Sequence, residues 1–158
     1  AYTAVVRGNN NTSGIGLIEV YDLNPTVTAK LANISTRALV GTGNDIVIAG
    51  FILGNNSTPT RLVIRGIGGS LSVFVPNALA NPKLEVRNSS GTVVASNDNW
   101  QDDSAQAAEL TAAGLAPTNA NESGIALTLG PGQYTALLSG VNSTTGVGVV
   151  EVYDRGAP

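Results

Sequence analysis

The chain has 158 residues, which suits one domain or one domain with an extension. It is 42% hydrophobic and 12% charged, about half the usual charged fraction, so a packed core is expected and wholesale disorder is excluded. A net charge of −3 argues against a nucleic-acid-binding protein. The chain contains no Cys and no His, which excludes thiol nucleophiles, thiolate or imidazole metal sites and every Ser-His-Asp arrangement.

Several features of composition indicate a mature secreted or cell-surface protein. Gly and Asn are abundant, Lys30 and Lys83 are the only lysines, and the sequence begins with Ala rather than Met. No apolar run approaches the roughly 20 residues that cross a bilayer, so no transmembrane segment is expected.

Short β-branched runs bounded by Gly, Pro, Asn and Ser predict an all-β fold. Turn signals recur about every 8–12 residues, which is typical of an antiparallel sandwich or barrel. One short helix is predicted at residues 104–113, with Asp102 or Asp103 as its N-cap and Gly114 at its end. The expected strands cover residues 3–7, 15–21, 45–53, 61–65, 71–75, 83–87, 92–96, 125–129, 134–139 and 147–153.

The strongest signal is an internal repeat with an offset of 132 residues. Residues 2–22 and 134–154 align without a gap, and 12 of the 21 positions are identical. Both copies open on Tyr-Thr-Ala and close on Glu-Val-Tyr-Asp, with three matched glycines between. We interpret each copy as a β-hairpin, so the fold prediction is a jelly-roll-like antiparallel β-sandwich (residues 29–158), a linker (residues 23–28) and an N-terminal hairpin extension (residues 1–22).

The C-terminal copy is expected to complete the sheets of the body, which leaves the N-terminal copy without a body of its own. A lone hairpin is marginally stable in water, and its free edges invite another chain. Its apolar residues are therefore the predicted assembly interface: Tyr2, Ala4, Val5, Val6, Ile15, Leu17, Ile18, Val20 and Tyr21.

Three arrangements would cover this segment. In the first, it packs on a neighbouring subunit or fills a site in it by strand addition, which joins unlike surfaces and propagates head to tail into a homopolymer. Alternatively, it ends a preceding domain in a tandem array with a period of 132 residues. In the third arrangement it adds strands to the sheets of its own body.

The body also resembles a known type of domain. Its motifs are LANISTR (31–37), VGTG (40–43), GFI (50–52), LVIRGIG (62–68), SNDNW (96–100), GLAP (114–117), PGQYTA (131–136) and VEVYD (150–154). Together these motifs resemble a β-rich repeat domain from large secreted and surface proteins of environmental bacteria, over residues 31–154, and residues 1–22 match the end of the same unit. The resemblance implies an extracellular, non-catalytic module and supplies no site residues.

The acidic loop at residues 97–103 is the candidate ligand site. Side-chain oxygens of Asn97, Asp98, Asp102 and Asp103 are hard ligands that suit Ca²⁺, and Glu122 could approach from another loop. The spacing lacks the glycine and the terminal glutamate of an EF-hand, and a turn followed by a helix cap explains the same residues.

The remaining patterns have structural explanations. Trp100 is expected to anchor a loop on the core, and Arg37 and Arg65 are expected to pair with acids such as Glu85 or Glu151. The carboxylates could also serve a glycosidase, but nothing in the sequence places two of them across a cleft. We therefore expect a non-enzymatic structural subunit of an extracellular filament or matrix. A calcium-dependent carbohydrate-binding or surface-binding module of a tandem-repeat adhesin is the alternative.

Overall fold

The computed structural model describes residues 2–23, 32–54 and 58–156. The chain divides into two compact units, Ala1–Leu31 and Ala32–Pro158, which are called here the N-terminal unit and the body. The predicted linker, except Leu23, lies outside the described residues.

The body contains eight antiparallel strands in two sheets of four. The first sheet has the order β1-β8-β3-β6 and the second has the order β2-β7-β4-β5. This strand order is that of a jelly roll, so the predicted fold class is confirmed. The strands are β1 (Asn33–Val40), β2 (Val47–Leu53), β3 (Thr60–Ile67), β4 (Pro82–Asn88), β5 (Val93–Asn97), β6 (Ser123–Leu129), β7 (Gly132–Gly140) and β8 (Gly146–Asp154).

The core lies between the two sheets and follows from the alternation of side chains along each strand. Strand β4 shows the pattern most clearly, because Leu84 and Val86 are fully buried while the alternating residues Lys83, Glu85 and Arg87 are partly exposed. The other fully buried side chains in this core include Val40, Ile64, Leu79, Leu138 and Val150.

One helix, α1 (Ser104–Ala112), lies beside β6. Its N-cap is Asp103, whose carboxylate accepts hydrogen bonds from the backbone of Ala105 and Gln106. Gly114 follows with φ of +67°, the left-handed conformation that ends a helix. Leu110 of the helix packs with Val63 and Ala126 in a second, smaller core. Both predicted helix ends are confirmed.

In the body, the observed strands differ from the predicted strands at two places. Residues 33–40 form β1, which was not among the expected strands. Residues 71–75 do not form a strand, because Gly69–Val73 is a 3-10 turn. The carboxylate of Glu122, fully buried, accepts hydrogen bonds from the backbone of Gly68 (2.9 Å) and Ser70 (3.0 Å) and holds the chain in that turn.

The interpretation of the C-terminal copy of the repeat as a hairpin is wrong. Strand β7 pairs with β2 and β4, whereas β8 pairs with β1 and β3 in the opposite sheet. The two strands face each other across the core and are joined by a 3-10 turn at Val141–Ser143. Residues 132–154 are therefore a β-arch, called here the C-terminal arch.

Residues 2–22, called here the N-terminal arch, contain no strand, so the strands predicted at 3–7 and 15–21 are absent. Their regular feature is a 3-10 turn at Asn9–Asn11. The reason follows from the C-terminal arch, whose two arms make their ladder hydrogen bonds with other strands and not with each other. An arch alone has no partner for either arm.

Candidate assembly interface

The corners of the two arches have the same backbone conformation. Asn10 has φ and ψ of 52° and 40°, and its counterpart Asn142 has 53° and 36°. In both copies the threonine that ends the turn bonds back to the first turn residue, Thr12 to Asn9 O (3.1 Å) and Thr144 to Val141 O (3.1 Å). Left-handed φ values at an Asn are costly away from turns, so this match shows that the repeated sequence encodes the corner locally.

The arms also face each other in the same way. A Cβ added at Gly16 would lie 3.3 Å from a methyl group of Val6. A Cβ added at Gly148 would lie 2.9 Å from a methyl group of Leu138, the counterpart of Val6. In each copy, one arm therefore packs over a glycine of the other.

The two copies differ in what covers their side chains. Leu138 and Val150 are 0% exposed and Val152 is 5% exposed, because they lie in the core. Their counterparts Val6, Ile18 and Val20 are 58%, 47% and 65% exposed. The remaining predicted interface residues are exposed as well, namely Tyr2, Ala4, Val5, Ile15, Leu17 and Tyr21.

This exposure has an energetic consequence. Fully burying one Val, Leu or Ile side chain contributes about 1.5–3 kcal/mol. Because Val6, Ile18 and Val20 are already about half buried, these three inward positions would contribute roughly 3–5 kcal/mol more, as an upper bound, if another body covered them as the body covers their counterparts. A concentration of exposed apolar side chains in one short segment is typical of an interaction site.

The glutamate and the tyrosine near the end of each arch also have different surroundings in the two copies. In the body, Arg65 donates to Glu151 (2.8 Å from Nε) and to the hydroxyl of Tyr153 (3.1 Å), and its guanidinium lies over the Tyr153 ring at 5.4 Å. Burial raises the pKa of Tyr153. The predicted pairing of Arg65 with Glu151 is confirmed, and the ion pair is mostly buried.

The N-terminal arch repeats the acid and the tyrosine without the arginine. The Tyr21 hydroxyl donates to Glu19 Oε1 (3.0 Å), and this bond raises the pKa of Tyr21. In the N-terminal arch, Glu19 and Tyr21 therefore bond to each other. In the C-terminal arch, their counterparts Glu151 and Tyr153 both accept hydrogen bonds from Arg65 of β3.

Residues of the predicted calcium loop make structural hydrogen bonds to the edge of the sheet. Asn97 Oδ1 accepts a hydrogen bond from the backbone of Gly124 (2.9 Å), and the backbone N–H of Trp100 donates to the carbonyl of Glu122 (2.8 Å). Gln106 of the helix accepts from the backbone of Ala126 (3.0 Å). Residues 124 and 126 alternate along β6 and Glu122 directly precedes it, so these bonds occupy outward-facing backbone groups in the first half of this edge strand.

The remaining oxygens of the loop have local partners. The pKa of Asp103 is lowered because the backbone and side chain of Gln106 donate to its carboxylate. Asp102 accepts from Asn99 (3.3 Å), and Asp98 accepts from the amide of Asn81 (3.2 Å) when that amide is turned to satisfy its neighbours.

A shallow depression beside the loop is lined by all four predicted ligands, Asn97, Asp98, Asp102 and Asp103. It also includes the ammonium-bearing Lys83, and the Glu122 carboxylate binds Gly68 and Ser70 instead of approaching the loop. Within residues 2–23, 32–54 and 58–156, no three His, Cys, Asp or Glu side chains are arranged so that they could hold a metal ion. The loop therefore caps a strand edge and a helix.

Trp100 packs against the smaller core beside α1, as expected, whereas Arg37 is exposed on β1. Glu85 pairs with Arg87 (2.6 Å) and, more loosely, with Lys83 (3.7 Å). The edge-capping function of Asn97 and Gln106 has no signal in the sequence, since it depends on which strand lies at the edge.

Comparisons with known proteins add a likeness of structure. The sequence matches no protein-family model and no curated protein. Among solved structures it is similar to the pre-peptidase C-terminal domain of a collagenase from Bacillus anthracis, with 12% identity and a TM-score of 0.44. The alignment covers 78% of this chain and 89% of that chain, and at this level it carries no information about function.

The part of the chain that the structure describes contains no helix with the length and hydropathy of a membrane span.

Proposed function

We propose that this protein is a structural, non-enzymatic subunit of an extracellular filament or matrix, in which the N-terminal arch of one copy docks on the body of a neighbouring copy. The observation that carries the proposal is the contrast within the repeat. One copy of the arch has its apolar side chains in a core, and the other has the same corner with those side chains exposed.

The proposed geometry favours a linear polymer. The arch and the surface that receives it are different parts of the molecule, so each subunit offers one donor and one acceptor. Contacts between unlike surfaces propagate from subunit to subunit unless rotation closes a ring. The same docking would join consecutive repeats of a tandem polypeptide.

The composition of the N-terminal arch supports a dry contact. Eight of its side chains are large and apolar, and Arg7, Glu19 and Asp22 are its only charged residues. Because closing free strand edges removes sites for further unfolding and proteolysis, such a polymer would be kinetically stable.

No comparable observation supports the calcium-dependent alternative. The oxygens of Asn97 and Asp103 are engaged in capping β6 and α1. A cation there would have to share those oxygens with the structural hydrogen bonds.

The proposal is tested by comparing the full chain with a chain that lacks residues 1–22, using sedimentation velocity and negative-stain electron microscopy. The full chain is expected to form linear oligomers that grow with concentration, and the shortened chain is expected to be a folded monomer. A triple variant that keeps the chain length, Val6→Ser, Ile18→Ser and Val20→Ser, is expected to behave like the shortened chain. Assembly that persists in both would contradict the proposal.

A further inference from the structure

The two sides of the sandwich differ in how their edge strands are protected. Strands β5 and β6 lie at one side, and β1 and β2 lie at the other. Unprotected edge strands are templates for pairing with another chain, and proteins usually block them with short strands, bulges, charges or a covering element.

The β5–β6 side is blocked. Outward-facing backbone groups in the first half of β6 are capped by Asn97 and Gln106, the backbone of Trp100 bonds to Glu122 just before the strand, and α1 packs against it. Strand β5 has only five residues, and its pairing with β4 is interrupted by an irregularity next to Arg87.

The β1–β2 side lacks such protection among the residues that the structure describes. The two strands have eight and seven residues with regular pairing to β8 and β7. Among the described residues, no third strand, helix or capping side chain bonds to their outer edges. Leu39, Ile48 and Ile52 on these strands are 69%, 53% and 70% exposed.

This side offers what an arch needs. In the body, β7 runs antiparallel to β2 and β8 runs antiparallel to β1. A second arch in the same orientation, moved outward past β2 and β1, is again antiparallel to both strands. Its two arms would add a fifth strand to each sheet at once, and no strand of the body has to be displaced.

We propose that the acceptor is the paired outer edges of β1 and β2 on a second copy of this chain. The inference rests on the proposed docking of the N-terminal arch. The occupant is the N-terminal arch of the neighbouring copy, since its exposed apolar side chains repeat those of the C-terminal arch, which already lies against β1 and β2 on their inner sides. The register is that of the C-terminal arch, so that Ile15 lies opposite Leu39, as Val147 does on the inner side of β1.

Charge is consistent with this register. Glu19 lies opposite Ser35 and diagonal to the exposed Arg37, a distance at which long side chains of opposite charge attract. Tyr21 lies opposite Asn33.

Crosslinking between two variants of the full chain tests the acceptor. The protein has no cysteine, so each introduced thiol is unique. Ile15→Cys is mixed with a size-tagged Leu39→Cys chain and treated with a short bis-maleimide. The control mixture replaces Leu39→Cys with Val93→Cys, which lies on β5 and is also exposed. Melting curves check that each variant is folded.

A crosslinked heterodimer is expected with Leu39→Cys in large excess over Val93→Cys. Equal crosslinking to Leu39→Cys and Val93→Cys would refute the proposal that the acceptor is the β1–β2 side. So would crosslinking of Leu17→Cys to Ile67→Cys, because Ile67 pairs with the Leu17 counterpart Val149 and is reached only if the arch displaces β8. A double variant, Ile15→Cys with Leu39→Cys, that crosslinks only within its own chain would overturn the assignment of the acceptor to a second copy.

Sedimentation of the same samples separates the two proposals. Oligomers that form without a crosslink at Leu39→Cys leave the proposed function standing and refute this acceptor. An absence of oligomers at every concentration refutes the proposed function itself.

Discussion

Matched substitutions at one repeat position give the most informative prediction. Ile18 and Val150 occupy the same place in the two arches, and only Val150 lies in a core, with 0% exposure against 47% for Ile18. Val150→Ala removes buried carbon and leaves a cavity, which costs roughly 2–3 kcal/mol. For a domain of this size that corresponds to a melting temperature about 8–12 °C lower.

Ile18→Ala is expected to have the opposite profile. In the dilute monomer the side chain is half exposed, so the free energy of unfolding should change by no more than about 0.5 kcal/mol. In the docked state the same change removes up to about 2 kcal/mol of burial, which weakens association roughly 30-fold.

The assay is a thermal melt at low concentration together with sedimentation equilibrium over a concentration series. Val150→Ala should lower the melting temperature and Ile18→Ala should shift only the association constant. The reasoning is refuted if Ile18→Ala lowers the melting temperature as much as Val150→Ala does, because the arch would then belong to its own core. Unchanged association in Ile18→Ala would refute it as well.

Three further predictions concern the body. Glu122→Ala leaves buried N–H groups unpaired at about 1–3 kcal/mol each, so chemical denaturation should show a loss near 3 kcal/mol or more, and Glu122→Gln, which keeps an acceptor, should lose less. The pKa of Glu109 is lowered because Arg61 donates to its carboxylate, so this pair stabilises the fold above the ordinary Glu pKa and is lost as the pH falls through the folded value. Glu109→Gln should therefore cost up to about 1 kcal/mol at neutral pH and nothing in acid, in a pH series of melts. Calcium and chelator should give the same melting temperature, and a rise with calcium would restore the metal site at Asn97.

Much of the body could be predicted from local sequence. Strands β4 to β8 are short runs with apolar or β-branched residues between turn residues, and α1 carries its own signals in Asp103 and Gly114. Strand β1 was missed because it is an edge strand, whose Asn33, Ser35 and Arg37 face solvent and weaken the apolar pattern.

Other features depend on contacts distant in sequence. Residues 71–75 have the composition of a strand, but the carboxylate of Glu122 imposes a turn from some fifty positions away. The repeat could be found in the sequence from its identical residues. The structure shows that both copies form a corner with a left-handed Asn. Whether its arms pair with each other or with other strands depends on the topology of the whole body, which is why an arch was interpreted as a hairpin.

The same limit applies to the sites. The exposure of the apolar residues in the N-terminal arch could be predicted, because the sequence holds two copies of the arch and one body. These residues are exposed in the structure. The role of the acidic loop could not be predicted, because Asn97 and Gln106 act on the edge of β6, a strand whose edge position appears only in the folded sheet.

Amide hydrogen exchange of residues 2–22 at several protein concentrations tests the central claim most directly. If the arch of one copy pairs with strands of another, its backbone N–H groups exchange freely in the dilute monomer and become protected as oligomers form, together with those on the outer edges of β1 and β2. Arch amides that stay unprotected at every concentration, or that are already protected in the monomer, would contradict the account.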